Sequence, residues 1–443
     1  MMALLPFGWK NRMSNNRRTN FVLAFLFIVY AIVRLVANLP SLSKPRELAD
    51  TVSYLRISNE AILNDKFWGD GRPFVFPLLL KISNQDVELA SLLQLGFSIL
   101  AWGFLAITIS ASMRTRWLQL FSFGIILSLS IVRHLASWDY VIMTESLSIS
   151  WFVLFVAAGI WLMQAWRGYK VLALIIIGFF LAFTRDTNAY LLLMLAGMLI
   201  LSILFRWMHI RALIPAICFL IIFYLGNFSS DYGGRWIFPL NNSIGQRVLT
   251  NPQALDYFEA CGMPITPELL AQTGEFANGN DRAFYTDPAL EEYRIWLKEH
   301  GKSCYMKWLV SDPVHSVGDT FMQFQRLITF AELDKYFARR YDPVIPYYIE
   351  PAIYPVKYIL PLWIVLTLAA LVAIWKRAWT KNILWGIYVL LCLPILPHLF
   401  IVWQGDAMAP ERHALSVGLQ LALSLWLFIF LTLEQGVEYF QRR

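Results

Sequence analysis

The sequence has few charged residues: 15% of its 443 residues are Asp, Glu, Lys or Arg, whereas 58% are hydrophobic. A soluble globular chain carries about 25% charged residues, so this shortage excludes an ordinary soluble domain. The formal net charge is +7, but the basic residues stand in short clusters between apolar runs. That placement is typical of membrane topology rather than of a polyanion-binding face, and no nucleic acid is expected as a partner.

Cysteines and common catalytic motifs are also scarce. The four cysteines form no CxxC pair, and the sequence contains no HExxH, Walker or GxSxG motif. These absences argue against a zinc hydrolase, an ATPase and a serine hydrolase. Two cysteines, Cys261 and Cys304, lie in a long polar segment. They could form a disulfide if that segment is extracytoplasmic, and the sequence leaves this open.

Ten apolar windows are candidates to cross a bilayer, which requires roughly 17 to 25 residues, and one of them, 170–184, is short. They are 21–39, 88–111, 117–133, 142–166, 170–184, 189–207, 211–227, 356–375, 382–402 and 414–433. The stretch PFVFPLLL at 73–80 is predicted to be re-entrant or interfacial. The predicted fold is therefore an all-α polytopic membrane protein with about ten transmembrane helices.

Basic residues occupy every second loop between these windows. The clusters are Lys10, Arg12, Arg17 and Arg18; Arg114 and Arg116; Arg167 and Lys170; Arg206 and Arg211; Lys376, Arg377 and Lys381; and Arg442 and Arg443. By the positive-inside rule, these loops and both termini are predicted to be cytoplasmic. The other loops are then extracytoplasmic, and the expected location is a bacterial inner (plasma) membrane.

The polar segments divide the chain into three predicted parts. Residues 1–227 form an N-terminal transmembrane module, whose first loop, 40–87, is the catalytic loop. Residues 228–355 form a small, mainly helical extracytoplasmic domain, since they contain stretches such as DPALEEYRIWLKEHG and turn signals such as NGND. Residues 356–443 form a C-terminal transmembrane module.

Ionisable residues gather at the extracytoplasmic ends of the predicted spans, where charged groups are rare and often functional. The candidates are Asp50, Tyr54, Arg72, Asp139, Glu145, Arg185, Asp186, Arg412 and His413. Guanidinium groups bind phosphate through paired donors, and a carboxylate can accept a proton from a hydroxyl group. This mixture favours transfer from a lipid-linked phosphate donor that reaches the site from the bilayer.

Several candidates also have a structural interpretation. Asp50 suits the N-cap of the helix predicted after it. Arg185 and Asp186 could pair with each other, and Arg412 could anchor a membrane boundary.

The order of several motifs resembles that of one enzyme family. Asp50 and Tyr54 follow the first span, and later segments read GRPFVFPLLL, TESLSISWFVLF, FTRDTNAYLLL and APERHALSVGL. With these motifs, residues 20–205 and 409–419 resemble the GT-C membrane glycosyltransferases, which include protein O-mannosyltransferases and the lipid A aminoarabinose transferase. The resemblance implies a polyprenyl-phosphate sugar donor, inversion at the anomeric carbon and an extracytoplasmic site with Asp50 as the base.

The chain departs from this family in its first loop. Many members carry two adjacent acids there, whereas Asp50 is flanked by Ala49 and Thr51. This departure argues against a metal-assisted site but leaves a divalent metal open, and no cofactor is predicted.

The predicted function is an inverting glycosyltransferase that moves a sugar from polyprenyl phosphate to a glycan, lipid or protein acceptor. Two alternatives stay open: a transporter or flippase of a lipid-linked or anionic solute, and a non-catalytic subunit for envelope assembly. A transporter favours binding groups near the middle of the bilayer on discontinuous spans, whereas these candidates lie at one end. The sequence identifies neither the sugar nor the acceptor.

Overall fold

In the computed structural model, the chain is described over residues 17–329, 333–337, 346, 348–355 and 357–442. Within these ranges the secondary structure is helical, and an isolated parallel bridge between Arg46 and Val141 is the nearest approach to a sheet. The prediction of an all-α fold is confirmed. The basic residues Lys10, Arg12 and Arg443 lie outside the described residues.

We number the α-helices in chain order. They are α1 (Arg17–Leu42), α2 (Ala49–Asn59), α3 (Asp65–Gly69), α4 (Val75–Ile82), α5 (Val87–Ser112), α6 (Arg116–Ser130), α7 (Arg133–Ala136), α8 (Thr144–Gln164), α9 (Gly168–Ala182), α10 (Asp186–Leu204), α11 (Leu213–Tyr232), α12 (Ile237–Ser243), α13 (Pro252–Ala260), α14 (Pro267–Leu270), α15 (Ala283–Thr286), α16 (Glu291–Trp296), α17 (Lys302–Ser311), α18 (Pro313–Ile328), α19 (Glu350–Ile353), α20 (Ile359–Trp375), α21 (Leu384–Cys392), α22 (Ile395–Gly405), α23 (Pro410–His413) and α24 (Leu415–Arg442).

Seven helices in the described part of the chain are long and apolar enough to cross a membrane. They are Arg18–Leu42, Val87–Ser112, Thr144–Gln164, Asp186–Leu204, Ile210–Tyr232, Leu384–Gly405 and Leu415–Gln441. These helices confirm the predicted class, a polytopic helical membrane protein.

The other three predicted windows fall on a bent helix pair and on two shorter helices. Arg116–Ser130 and Arg133–Tyr140 meet at an angle of 60°, and Gly168–Ala182 and Ile359–Trp375 are shorter apolar helices. The predicted re-entrant or interfacial segment forms α4, whose eight residues extend only about 12 Å. The count of ten spans stays a prediction.

Two of the basic loops, those of Arg114 and Lys381, meet at one end of the helix bundle. Arg114, after α5, donates a hydrogen bond to the carbonyl oxygen of Lys381 (2.8 Å). Its backbone amide donates to Glu434 of α24 (2.5 Å), which also accepts a hydrogen bond from Asn382 (2.7 Å). The loops that carry the candidate site residues lie at the opposite end, which we call the site end.

Two hydrophobic clusters organise the chain. The larger one packs the apolar helices together, and the smaller one lies within residues 240–309 around Phe258, Tyr293 and Trp296. Cys261 and Cys304 form a disulfide in the smaller cluster, with 6.3 Å between their Cα atoms. This polar part of the chain therefore has its own core, while the predicted module boundaries stay predictions.

Candidate functional site

Three arginines and two carboxylates lie in contact at the site end. Asp50 accepts hydrogen bonds from Arg72 (2.6 Å) and Arg412 (3.1 Å). Glu145 Oε1 lies 3.2 Å from Arg185 Nη1 and 3.0 Å from Arg412 Nε, the latter an ion pair without hydrogen-bond alignment. Arg412 therefore bridges both carboxylates. We call these five residues the Arg–carboxylate cluster.

Asp50 lies in the first turn of α2. The N-cap position is occupied by Leu48, whose backbone amide donates to the Thr51 hydroxyl (2.9 Å). The N-cap interpretation of Asp50 is therefore wrong, and its carboxylate contacts the arginines instead. The Asp50 side chain is 27% exposed, whereas that of Glu145 is 0% exposed. A hydroxyl group arriving from solvent can therefore reach Asp50 but not Glu145.

A short segment before α8 holds α2 in place. The Thr51 hydroxyl donates to the carbonyl oxygen of Ile142 (3.0 Å). The backbone of Arg46 donates to the carbonyl of Tyr140 (2.8 Å) and accepts from the amide of Ile142 (3.0 Å). Because Thr51 follows Asp50 directly, these bonds fix the position from which Asp50 meets the arginines.

Aromatic rings flank two of the arginines. The guanidinium carbon of Arg72 lies 5.1 Å from the ring centre of Tyr54, and that of Arg412 lies 5.7 Å from the ring centre of Tyr336. Tyr54 is buried and packs edge-on against Phe76 (4.9 Å between ring centres). Burial raises the pKa of Tyr54, so its hydroxyl stays protonated. These cation–π contacts help to orient the arginines.

His413 contacts Arg185 rather than a carboxylate of the cluster. Its Nδ1 lies 2.6 Å from Arg185 Nη2, and because arginine only donates, Nδ1 is the acceptor. Burial and then the charges of Arg185, Arg412 and Arg72 hold the pKa of His413 well below its usual range. The ring is therefore neutral with its proton on Nε2, 3.9 Å from Asp406 Oδ2.

The electrostatics of the cluster leave one positive charge in excess. Burial raises the pKa of Asp50, but Arg72 and Arg412 together outweigh that effect and hold it below its usual value. Asp50 is therefore ionised at neutral pH. Three guanidinium groups face two carboxylates, and His413 contributes no charge. A ligand with a single negative charge would balance the cluster.

Asp139 lies outside the cluster, although it was predicted to bind substrate. Its carboxylate pairs with Arg34 of α1 and accepts a hydrogen bond from Ser146 (2.6 Å). Arg34 is fully buried and also donates to Ser98 (3.2 Å) and to the carbonyl of Ser130 (2.7 Å). Asp139 is therefore linked to the cluster through Ser146, which follows Glu145.

Asp186 also lies outside the cluster. Both of its oxygens accept hydrogen bonds from Arg235, at 3.0 and 3.1 Å. The adjacent Arg185 points to Glu145, so the predicted pairing of Arg185 with Asp186 is not formed. Of the nine predicted residues, the structure brings together Asp50, Tyr54, Arg72, Glu145, Arg185, Arg412 and His413.

Two neighbours of the cluster carry no sequence signal. Lys335 Nζ lies 2.6 Å from Glu411, and the Tyr336 hydroxyl donates to the same carboxylate (3.4 Å). Both residues belong to a short 3₁₀ turn, Leu333–Tyr336, in a region where the sequence singles out no residue. Their contact with Glu411 spans more than 70 positions, so no local pattern reveals it.

The acidic residues of the site are engaged by arginines rather than gathered as metal ligands. Across the described ranges, no three His, Cys, Asp or Glu side chains are placed to hold a metal ion. The cluster instead presents guanidinium groups, which bind anions.

Fold and site together define a polytopic helical membrane protein with an Arg–carboxylate cluster at one end of its helices. No protein-family model, curated protein or solved structure matches the chain. The resemblance to the GT-C glycosyltransferases therefore rests on the sequence motifs alone.

Proposed function

We propose that the protein is an inverting glycosyltransferase that moves a sugar from a polyprenyl-phosphate donor to an envelope acceptor. One observation carries the proposal. Asp50, the exposed carboxylate of the cluster, lies between Arg72 and Arg412 at the site end. A base and a phosphate-binding group are thus adjacent where a lipid-linked donor and an aqueous acceptor would meet.

The charge of the cluster suits the donor. A polyprenyl-phosphate sugar is a phosphodiester with one negative charge, and the cluster has one positive charge in excess. Arg72 and Arg412 are the arginines that also contact Asp50. Guanidinium groups make strong, paired hydrogen bonds to phosphate and would stabilise the phosphate as it leaves.

Asp50 acts as the general base. Inversion needs one base on the face opposite the leaving group and no protein nucleophile. The low pKa of Asp50 results from its arginines, because an adjacent cation favours the ionised carboxylate. A phosphate that engages Arg412 or Arg72 weakens that effect and raises the basicity of Asp50 when the donor is in place.

The proposed topology has ten spans, cytoplasmic termini and an extracytoplasmic site in a bacterial inner membrane. Two observations support it. The basic loops of Arg114 and Lys381 lie at the end opposite the cluster, as the positive-inside rule requires of cytoplasmic loops. The Cys261–Cys304 disulfide belongs to the polar region at the site end, and disulfides persist in oxidising compartments.

Transport is less well supported than transfer. A transporter places its binding groups near the middle of the bilayer. Here Glu145 lies in the first turn of α8, Arg185 lies just before α10, and Arg412 lies in the short helix α23 before α24. These positions favour a site at the membrane surface.

The test is a transfer assay with protein reconstituted in vesicles, radiolabelled polyprenyl-phosphate sugars and envelope acceptors. We expect wild-type protein to transfer label and Asp50→Asn to lower turnover by about 10²–10⁴-fold, the usual contribution of a general base. Donor binding should persist, because the amide keeps the size of the carboxyl group.

The matched control is Asp70→Asn. Asp70 is an exposed acid of the same loop that pairs with Arg56 (3.3 Å), outside the cluster. The Asp70→Asn variant should transfer the sugar at the wild-type rate. Near-normal transfer by Asp50→Asn would remove Asp50 as the base. Absence of transfer by wild-type protein with every polyprenyl-phosphate sugar would contradict the proposed activity.

A further inference from the structure

Helix α18 lies across the site end of the bundle. Near its N-terminus, the carbonyl of Ser316 accepts a hydrogen bond from Gln404 (3.0 Å), at the end of α22. Near its C-terminus, Gln325 accepts one from the backbone amide of Ile359 (3.1 Å), the first residue of α20. Since α22 ends and α20 begins at the site end, α18 runs parallel to the plane of that end.

The surface of α18 has three faces, which follow from its 3.6-residue period. The buried face packs on the bundle through Ser316, Thr320, Phe324, Leu327 and Ile328. The polar face carries His315, Asp319 and Arg326, and the first two pair at 3.4 Å. Between these faces lies an apolar face with Val314 and Met322, which are 82% and 78% exposed.

The exposed apolar face continues into neighbouring helices. In α17, Met306 and Val310 are exposed one turn apart, just before α18 begins. On the other side of the apolar face of α18, Phe321 packs against Trp363 of α20 (6.1 Å between ring centres). Helix α20 exposes further apolar side chains along its length. The apolar face of α18 is therefore continuous with the surface of an apolar helix.

We propose that α18 is an in-plane membrane helix whose apolar face inserts at the acyl–headgroup boundary of the bilayer at the site end, next to the exposed Met306 and Val310 of α17. A helix with separate apolar and charged faces that lies parallel to the membrane has the properties of an interfacial helix. The partner is the bilayer itself, because the apolar face adjoins α20 on one side and a charged face on the other.

This placement has a consequence for the site. The turn Leu333–Tyr336 follows α18 within five residues; Tyr336 contacts Arg412 of the cluster, and Lys335 pairs with the adjacent Glu411. Insertion of α18 into the bilayer surface therefore fixes the position along the membrane normal at which this turn meets Arg412.

The test uses single-cysteine fluorescence in a chain with the Cys218→Ala and Cys392→Ala substitutions, which remove the two free cysteines. Val314→Cys, Met322→Cys and Asp319→Cys are each labelled with NBD under non-reducing conditions. The labelled proteins are reconstituted in phosphatidylethanolamine–phosphatidylglycerol vesicles with and without nitroxide lipid. Asp319 is the matched control, because it lies on the same helix but on the polar face.

We expect blue-shifted emission at Val314 and Met322 and loss of most of that emission with nitroxide lipid. The Asp319 label should keep its emission with nitroxide lipid and be quenched by aqueous iodide. Iodide quenching at all three positions would place the face in water and overturn the proposal. Protection of Val314 and Met322 from both quenchers would show that protein covers the face, and would overturn it equally. No enzymatic activity is measured, so the outcome is independent of the proposed function.

Discussion

Arg412 is the residue that contacts both carboxylates of the cluster. It lies 3.1 Å from Asp50 and 3.0 Å from Glu145, with the ring of Tyr336 nearby. Burial lowers the pKa of Arg412, but Glu145 and Asp50 outweigh this and raise it above its usual value. A guanidinium group held in this way is a fixed cation, which the proposed phosphate donor would require.

Arg412→Ala should weaken donor binding by about 1.5–3 kcal/mol, the usual contribution of a charge-assisted hydrogen bond. Calorimetric titration with a polyprenyl-phosphate sugar measures the change. Arg56→Ala is the control, because Arg56 pairs with the exposed Asp70 away from the cluster and should leave the affinity unchanged. Wild-type affinity in a folded Arg412→Ala variant would remove Arg412 from the donor site.

The lowered pKa of His413 leads to a prediction about the stability of the protein in acid. Its pKa in the folded protein is far below its ordinary value of about 6.5, so below that pH the unfolded chain binds a proton that the folded protein does not. The contribution of His413 to the free energy of unfolding is therefore complete above about pH 6.5 and falls as the pH drops below this value.

The melting temperature of the wild-type protein should therefore fall between pH 7 and pH 5. The melting temperature of the His413→Gln variant should fall less steeply over the same range. The exposed His300 supplies the control, and His300→Gln should keep the wild-type slope. Equal slopes for all three proteins would show that His413 takes up a proton freely in the folded state.

Most of the cluster could be predicted from the sequence, because charged residues at membrane depth are rare and all of these stand at one end of the spans. Asp139 and Asp186 met the same criterion, but their partners Arg34 and Arg235 lie 105 and 49 positions away. No local pattern reveals such pairs. A usable signal was Arg34 itself, since a charge inside the first apolar run requires a partner.

At the scale of elements, the turn Ser137–Tyr140 connects the membrane core to the site. Asp139 in this turn pairs with Arg34 and accepts from Ser146. Removal of one partner from a buried ion pair leaves the other charge uncompensated. Asp139→Ala should therefore destabilise the protein by about 3–5 kcal/mol.

The double variant Arg34→Met with Asp139→Leu should recover much of this loss, because it removes both charges together. Unfolding in mixed micelles on addition of sodium dodecyl sulfate measures the difference. Equal stability of wild-type protein and Asp139→Ala would show that the pair contributes nothing to the fold.

Apolar windows predicted the helices well but not how many cross the membrane. Each of the ten windows falls on a helix, because long apolar runs satisfy their backbone only as helices in lipid. The 15 residues of α9 extend only about 22 Å, less than the roughly 30 Å of a bilayer core. Length alone therefore leaves its role undecided.

For the whole molecule, the arrangement of basic loops predicts the orientation in the membrane. Asn280→Cys should react with a membrane-impermeant maleimide added outside intact cells, and Gly168→Cys should react only after the membrane is opened. Both substitutions lie outside the cluster. The reverse pattern would overturn the topology and would place the proposed site in the cytoplasm.

Each of the two Asp50 oxygens accepts a hydrogen bond from an arginine: Oδ1 from Arg72 and Oδ2 from Arg412. In a glycosyltransferase of the proposed kind, this double occupancy determines the order of events. An acceptor that arrives first meets a carboxylate whose basicity is suppressed, whereas a donor phosphate draws an arginine away and restores it. In such an enzyme a donor phosphate would have to engage one of these arginines before Asp50 could accept a proton from the acceptor, and hydroxyl compounds alone would not react.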